Sequence, residues 1–272
     1  MTALVSIDGF TGPGRLYRLQ PAGEGAPVLI AHGTFSTAET CLPIAQFFAA
    51  RGRPVYVVEW RNRDGAPGAF DAHDLAEVEI ASALRQMPAP AHLVAHSGGG
   101  LAMSFAMLDP ELRRRTRSLT LLASQGTHLR DTGPRIYHST RAIAWACQKR
   151  GYWPSRLFGL GPCNETAMLL SQWVRFNRQQ RITTREGQDL FELLPALSLP
   201  VLGIAGVADT RIAPPSGCKA LAEAFGPTGR FHLAAAQSDG EDFTHSRLFR
   251  SRAATRLLWP RIAQFQNAVE AG

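Results

Sequence analysis

The chain has 272 residues, of which 45% are hydrophobic, and its 29 Lys and Arg against 22 Asp and Glu give a net charge of +7. This length suits one large domain with a full hydrophobic core. No apolar run approaches the ~20 residues that a membrane-spanning helix needs, and the first residues lack the basic start of a secretory signal. We therefore expect a cytoplasmic protein.

The cysteines and the basic residues indicate neither a metal site nor a nucleic-acid partner. The four cysteines are too scattered for a zinc site or a disulfide framework, so we expect no metal and no cofactor. Nearly all of the positive charge is arginine and is spread along the chain. The densest run, Arg113–Arg115 with Arg117, is predicted to be a solvated loop after a helix that ends near Asp109, with a phosphate-binding patch as the alternative.

The first part of the chain alternates predicted strands and helices. Residues 3–20 alternate apolar and polar positions around glycines, which predicts a β-hairpin. Short apolar runs bounded by turn residues then predict buried strands at 27–31, 54–58, 91–95 and 118–123. Apolar residues at helical spacing predict helices near 42–49, 71–87 and 98–108. This alternation favours an α/β fold with a mainly parallel central sheet and helices on both faces.

The alternation stops between residues 124 and 196 and then resumes. About seventy residues cannot be a plain loop in a compact domain, so we predict a helical cap insertion here, in two helical halves separated by Gly159–Pro162. The core is predicted to span residues 1–123 and 197–272. Its second part has strands at 199–205 and 230–234, a helix at about 215–225 and a C-terminal helix.

Ala95-His96-Ser97-Gly98-Gly99 follows the predicted strand 91–95 and precedes a helix. It is one residue away from the G-x-S-x-G nucleophile elbow, in which a strained strand-to-helix turn exposes a serine above a sheet. Small residues two before and two after the serine let the turn close, and Ala95 keeps that smallness. Taken alone, Ser97 is equally consistent with a residue that caps a helix or binds phosphate.

Four segments in order resemble the α/β-hydrolase superfamily, and together they cover nearly the whole chain. They are a strand followed by His32-Gly33-Thr34-Phe35, the segment around Ser97, Gly206–Pro215 with Asp209, and Asp242-Phe-Thr-His245. The resemblance implies a Ser-His-Asp triad on the α/β-hydrolase fold, with the residues in the order nucleophile, acid, base.

In this resemblance Ser97 is the nucleophile, His245 the general base and Asp209 the acid that orients His245. Asp239 and Asp242 are nearer to His245 in sequence, but they share its loop, and a partner at the end of a separate strand holds the imidazole more firmly. Backbone N–H groups of Gly98 and Thr34 would form the oxyanion hole, with Phe35 as the alternative to Thr34.

The sequence thus predicts a serine hydrolase that cleaves a small-molecule ester or thioester with a medium-sized apolar acyl group through an acyl-enzyme. Acyl transfer or C–C bond hydrolysis on the same triad is an alternative, and a non-catalytic binding protein on this fold is another. Aromatic side chains of the insertion would line the pocket or form the insertion's own core; they are Trp145, Tyr152, Trp153, Phe158, Trp173 and Phe176.

Overall fold

The computed structural model describes residues 3–20, 23–63 and 68–272, and ten strands lie within these ranges. The strands are β1 (Ala3–Ser6), β2 (Arg15–Gln20), β3 (Val28–Ala31), β4 (Val55–Glu59), β5 (Ala91–His96), β6 (Thr116–Leu122), β7 (Tyr152–Trp153), β8 (Glu165–Thr166), β9 (Val201–Gly206) and β10 (Gly229–Ala234). Eight of them form one sheet in the order β1-β2-β4-β3-β5-β6-β9-β10. The strands from β4 to β10 in this order are parallel, and the β1–β2 hairpin continues the sheet in antiparallel pairing. This confirms the predicted hairpin and mainly parallel sheet.

The central strands are buried on both faces, as continuous apolar runs require in a parallel sheet. In β3, Val28 and Ile30 pack into one core cluster, whereas Leu29 and Ala31 pack into another. The two clusters lie on opposite faces because successive side chains of a strand point in opposite directions. Each cluster contains residues from helices, so the sheet is covered on both sides.

Twelve α-helical segments occur among the described residues. They are α1 (Leu42–Ala49), α2 (Ala72–Asp74), α3 (Ala81–Arg85), α4 (Gly98–Ala106), α5 (Pro110–Arg114), α6 (Pro134–Arg150), α7 (Ala167–Gln179), α8 (Leu190–Leu193), α9 (Pro215–Glu223), α10 (Ala236–Asp239), α11 (Arg247–Arg250) and α12 (Trp259–Ala271). Helices α3, α4 and α5 contribute to one core cluster, and α1, α11 and α12 contribute to the other. This is the layered α/β architecture that the sequence predicts.

The structure departs from the sequence prediction in three local details. Residues 75–80 and 254–258 are π-helical, so the predicted helix over 71–87 is three consecutive segments. The prediction of a loop at Arg113–Arg115 is wrong for Arg113 and Arg114, which lie in the helix Pro110–Arg114; Asp109 caps this helix by accepting a hydrogen bond from the Glu111 N–H, and Arg115 follows in a turn. The third detail is a two-stranded sheet of β7 and β8 within residues 124–196.

The two longest helices of the segment between β6 and β9 are α6 and α7, and Gly159–Pro162 lies between them. The last part of this segment packs with the body of the protein, because Leu190 and Leu194 belong to the same core cluster as Leu93 of β5. No helix among the described residues is long and apolar enough to cross a bilayer. The four cysteines are buried free thiols.

The close approach of two loops fixes the carboxyl end of β9. A Cβ atom on Gly206 would lie 2.0 Å from the carbonyl oxygen of Phe243, and the Ala208 N–H donates to that same oxygen at 3.2 Å. The segment that follows β9 and the segment around Phe243 are therefore held together at backbone level.

We expect the substitution Gly206→Ala to lower the free energy of unfolding by about 1–3 kcal/mol, because the new methyl group forces these two backbones apart. Urea denaturation followed by circular dichroism measures this change. An unchanged midpoint and slope would contradict the close packing described here.

Three of the buried histidines belong to the sheet or to the loop that follows one of its strands: His92 and His96 lie in β5, and His32 follows β3. Burial lowers the pKa of His32 to about 3, and the nearby Arg63 cation adds to this effect. Burial also lowers the pKa of His92 and, much further, that of His96. All three side chains are neutral in the folded protein near neutral pH.

The unfolded chain binds protons at these histidines below about pH 6.5, whereas the folded chain does not. The free energy of unfolding should therefore fall as the pH drops from 6.5 to 5, by up to ~1.4 kcal/mol per pH unit for each histidine. Urea denaturation at stepped pH tests this, with His92→Asn expected to reduce the slope and His138→Asn, at an exposed position, to leave it unchanged. A flat profile between pH 6.5 and 5 would contradict the lowered pKa values, because the folded and unfolded chains would then bind equal numbers of protons.

Candidate active site

The turn at Ser97 has the strained geometry of the predicted elbow. Strand β5 ends at His96 and α4 begins at Gly98, with Ser97 between them at φ 52° and ψ −123°. A non-glycine residue at positive φ costs of order 1–3 kcal/mol unless its surroundings enforce it. Here the Ser97 N–H donates to the carbonyl of Leu122 at 2.8 Å, so pairing with β6 continues into the turn.

The loop after β3 packs directly against this turn. A Cβ atom on Gly98 would lie 2.4 Å from Oγ1 and 3.6 Å from the backbone nitrogen of Thr34. A Cβ atom on Gly99 would lie 2.4 Å from the carbonyl oxygen of His32. The glycines after Ser97 therefore allow the backbone that carries Thr34 to approach the start of α4.

Asp209 and His245 come from separate loops and meet in a hydrogen bond. The Nδ1 atom of His245 lies 2.6 Å from Oδ2 of Asp209, whose side chain is buried. The other carboxylate oxygen, Oδ1, accepts the N–H groups of Ile212 at 3.3 Å and Ala213 at 3.1 Å. Because a carboxylate accepts the Nδ1 proton, the neutral imidazole has its lone pair on Nε2.

The two carboxylates nearest to His245 in sequence have other partners. Asp239 accepts hydrogen bonds from Nε2 of His232 at 2.9 Å and from Nε of Arg261 at 2.8 Å. Asp242 accepts the Ala236 N–H at 2.8 Å. Of the three candidate acids, the structure therefore brings Asp209 into contact with the His245 ring.

His96, immediately before Ser97, supports the loop that carries His245. Its Nε2 donates to the carbonyl oxygen of His245 at 3.1 Å, and its ring stacks on Phe249 at 4.8 Å. The rings of His96 and His245 are 4.7 Å apart. Burial, with a further contribution from His245, keeps the pKa of His96 well below its usual value, so a second positive charge does not arise beside His245.

Ser97, His245, Thr34 and Gly98 line one cavity of about 350 Å³. Most of its remaining walls are apolar and come from α4, from the loop after β9 and from the segment between β6 and β9. They include Leu101, Leu129, Ile136, Ile143, Trp153, Leu169, Leu170, Trp173 and Ile212.

The six aromatic residues of residues 124–196 that were candidates for the pocket divide into four groups, one of which is Tyr152, half-buried in β7. Trp153 and Trp173 line the cavity. Phe176 is fully buried in the core cluster with α4. Trp145 and Phe158 are exposed, at 64% and 58% of their surface.

A buried ion pair that the sequence analysis missed holds the loop of Thr34 and Phe35. The Phe35 N–H donates to Oε2 of Glu165 at 3.3 Å, and the Cys163 N–H donates to the Phe35 carbonyl at 3.1 Å. Glu165 pairs with Nη2 of Arg63 at 3.1 Å, with both side chains almost fully buried. Phe35, at a positive φ of 65°, is thus hydrogen-bonded through both its N–H and its carbonyl group.

One signal in the sequence could have revealed this residue. Glu165 is the only acidic residue between positions 132 and 185, a stretch with nine arginines and lysines. A lone carboxylate in such a basic segment is a candidate for a buried ion pair.

No group of three or more metal-ligating side chains occurs within the part of the chain that the structure describes.

Solved structures with the same fold align with 94–100% of the chain. The structure of DcsB in complex with its substrate analogue superposes with a TM-score of 0.69 at 18% identity over 100% of both chains. A thermophilic esterase from Thermogutta terrifontis gives 0.63 at 18% identity over 99% of both. A monoacylglycerol lipase from Paleococcus ferrophilus gives 0.61 at 16% identity, over 94% of this chain and 97% of its own.

A comparison with curated protein sequences gave no match. The sequence model of the alpha/beta hydrolase family, in contrast, matches residues 28–264, from the first residue of β3 into α12. That range includes the strained turn at Ser97, the Asp209–His245 pair and the loop of Thr34. With this match and the parallel sheet described above, the chain belongs to the alpha/beta hydrolase family.

Proposed function

We propose that this protein is a serine hydrolase that cleaves a carboxylic ester or thioester with a medium-sized apolar acyl group. The observation that carries the proposal is the convergence on one cavity of Ser97, in a strained strand-to-helix turn, and His245, hydrogen-bonded to Asp209. The esterase and the lipase with the same fold support a hydrolase, while the geometry of the site supports this nucleophile.

In the proposed reaction, the Ser97 hydroxyl oxygen attacks the carbonyl carbon of the substrate while Nε2 of His245 takes the hydroxyl proton. Asp209 keeps the Nδ1 proton in place and stabilises the imidazolium that forms. The tetrahedral intermediate collapses, and His245 donates its proton to the departing oxygen or sulfur. Water, deprotonated by His245, then attacks the acyl-enzyme and releases the acid.

The negative oxygen of the tetrahedral intermediate needs donors that are already oriented. The N–H groups of Gly98 and Thr34 are our candidates because the backbones that carry them are in close contact. Phe35, the alternative donor, has its N–H directed to Glu165. This hydrogen bond favours Thr34 over Phe35.

The acyl group would occupy the apolar part of the cavity, whose volume of about 350 Å³ is at the lower end of the range for ligand pockets. Helices α6 and α7 contribute Ile136, Ile143, Leu169 and Trp173 to its walls. We propose that residues 124–196 act as a cap that covers the acyl group and limits the access of water to the acyl-enzyme.

We expect a fluorophosphonate probe to label the wild-type protein covalently at Ser97, because the probe reacts with a serine that has an adjacent base. Labelling should be absent in Ser97→Ala and greatly reduced in His245→Ala. The value of kcat/KM for p-nitrophenyl esters should fall by about 10⁴ or more in both variants. Intact-protein and peptide mass spectrometry identify the labelled residue.

Ser139→Ala is the matched control, because Ser139 lines the same cavity on α6 without a role in the proposed chemistry. It should be labelled like the wild type. A folded wild-type protein that resists the probe would contradict the proposed nucleophile and favour a binding protein on the hydrolase fold.

We expect Glu165→Gln to lower kcat by about tenfold or more with little change in KM for a small ester. The variant weakens the support of the Thr34–Phe35 backbone, and outright loss of one oxyanion donor costs ~10²–10³ in rate. Steady-state kinetics at saturating and limiting substrate separate the two constants.

Glu79→Gln provides a control with similar loss of stability, because Glu79 is also fully buried and pairs with Arg61 at 2.6 Å. Its kcat should stay close to that of the wild type. Equal losses of kcat in the two variants would indicate that Glu165 affects only stability.

A further inference from the structure

The basic residues are spread along the chain, but the acidic residues that offset them are scarce in one segment, so the net positive charge falls there. Residues 132–185 contain nine arginines and lysines and a single acidic residue, a net charge of +8, whereas the rest of the chain has a net charge of −1. The acidic residue is Glu165, which is buried and paired with Arg63. Arg181 pairs with Asp189, and Arg185 pairs with Asp74 and Glu77, but the cations of α6 have no acidic residue on their own helix.

Helix α6 has one face toward the cavity and another toward solvent. Ile136 and Ile143 line the cavity and Cys147 is buried. The other face carries exposed residues at helical spacing; they are Arg135, His138, Arg141, Ala142, Trp145 and Lys149. Trp145, with 64% of its surface exposed, therefore lies on the solvent face between Arg141 and Lys149, one turn away on either side.

Strand β7 packs against α6, and the turn after β7 carries large exposed apolar side chains. Leu157, Phe158 and Leu160 are exposed over 76%, 58% and 47% of their surface. The ring of Phe158 stacks on that of Trp153 at 4.5 Å. Trp153 and Leu160 also line the cavity that α6 borders, so this turn and α6 flank one cavity.

We propose that the outer face of α6 and the turn at residues 155–160 form a docking surface for an anionic lipid membrane. Basic residues are attracted to anionic headgroups, tryptophan favours the interfacial region, and exposed leucine and phenylalanine gain by insertion between acyl chains. An acidic protein partner would account for the basic residues of this surface. It would not account for the exposed apolar side chains of Trp145, Leu157, Phe158 and Leu160 beside them. Lipid explains both features, and it places the cavity beside a source of acyl groups.

The test is sedimentation of the protein with vesicles of phosphatidylcholine alone or with roughly one third phosphatidylglycerol. The Ser97→Ala variant is tested beside the wild type, so that binding is measured whether or not the proposed hydrolysis occurs. We expect binding to the anionic vesicles that weakens with salt, and little binding to the neutral ones. Arg141→Gln with Lys149→Gln should weaken it by on the order of 25-fold, about fivefold for each charge.

Arg114→Gln with Arg117→Gln is the matched control, because these exposed arginines lie around the start of β6, at the opposite end of the sheet from Ser97. This pair should bind anionic vesicles like the wild type. Trp145→Ser should weaken binding at every salt concentration. Binding to neither vesicle would overturn the proposal and leave an acidic protein as the partner, and equal losses in the two charge variants would overturn it as well.

Discussion

The backbone of Ser97 is held in a conformation that a serine would not adopt alone, and the candidate site depends on this constraint. The positive φ is enforced by β5, which is paired with β3 on one side and β6 on the other. The hydrogen bond from the Ser97 N–H to Leu122 extends this pairing past the end of the strand. The sheet thus offsets the conformational free energy of about 1–3 kcal/mol that the positive φ costs. It also places Ser97 at the carboxyl ends of the parallel strands.

The remaining parts of the site meet Ser97 because parallel strands end at one edge of the sheet. The loop of Thr34 follows β3, Asp209 follows β9, and His245 lies beyond β10. The loops also contact one another closely because two glycines lack a side chain. Thr34 approaches Gly98, and the backbone of Phe243 approaches Gly206. Loops at neighbouring strand ends are already close, and buried side chains such as Glu165 and His96 then hold them in place.

The fold was largely predictable because its signals are local. Continuous apolar runs such as 91–95 and their alternation with helices define the parallel sheet, and the order of motifs places Asp209 before His245. The π-helical stretches were not predictable. Over five or six residues, the spacing of apolar residues in a π-helix cannot be told from that in an α-helix. The helix at Pro110–Arg114 was missed because its charged residues resemble a loop when the Asp109 cap is overlooked.

The long-range contacts were beyond the sequence for a different reason. Glu165 and Arg63 are far apart in the chain, and no periodicity links them, yet they join the insertion to the loop of Thr34 and Phe35. Likewise, the hydrogen bond from His96 to the carbonyl of His245 depends on how two loops pack. The roles of Ser97 as nucleophile, Asp209 as acid and His245 as base remain predictions, as do those of Thr34 and Gly98 as oxyanion donors. The structure gives the positions of these residues and the distances between them.

The most direct measurement of the central proposal is a crystal structure of the protein after reaction with an alkyl phosphonate ester. We predict a covalent bond from Ser97 Oγ to phosphorus, with a phosphoryl oxygen within hydrogen-bonding distance of the Thr34 and Gly98 nitrogens. The alkyl chain should lie between α6 and α7. Phosphorus bonded to another residue, or an adduct on Ser97 with its oxygen turned away from both nitrogens, would contradict it.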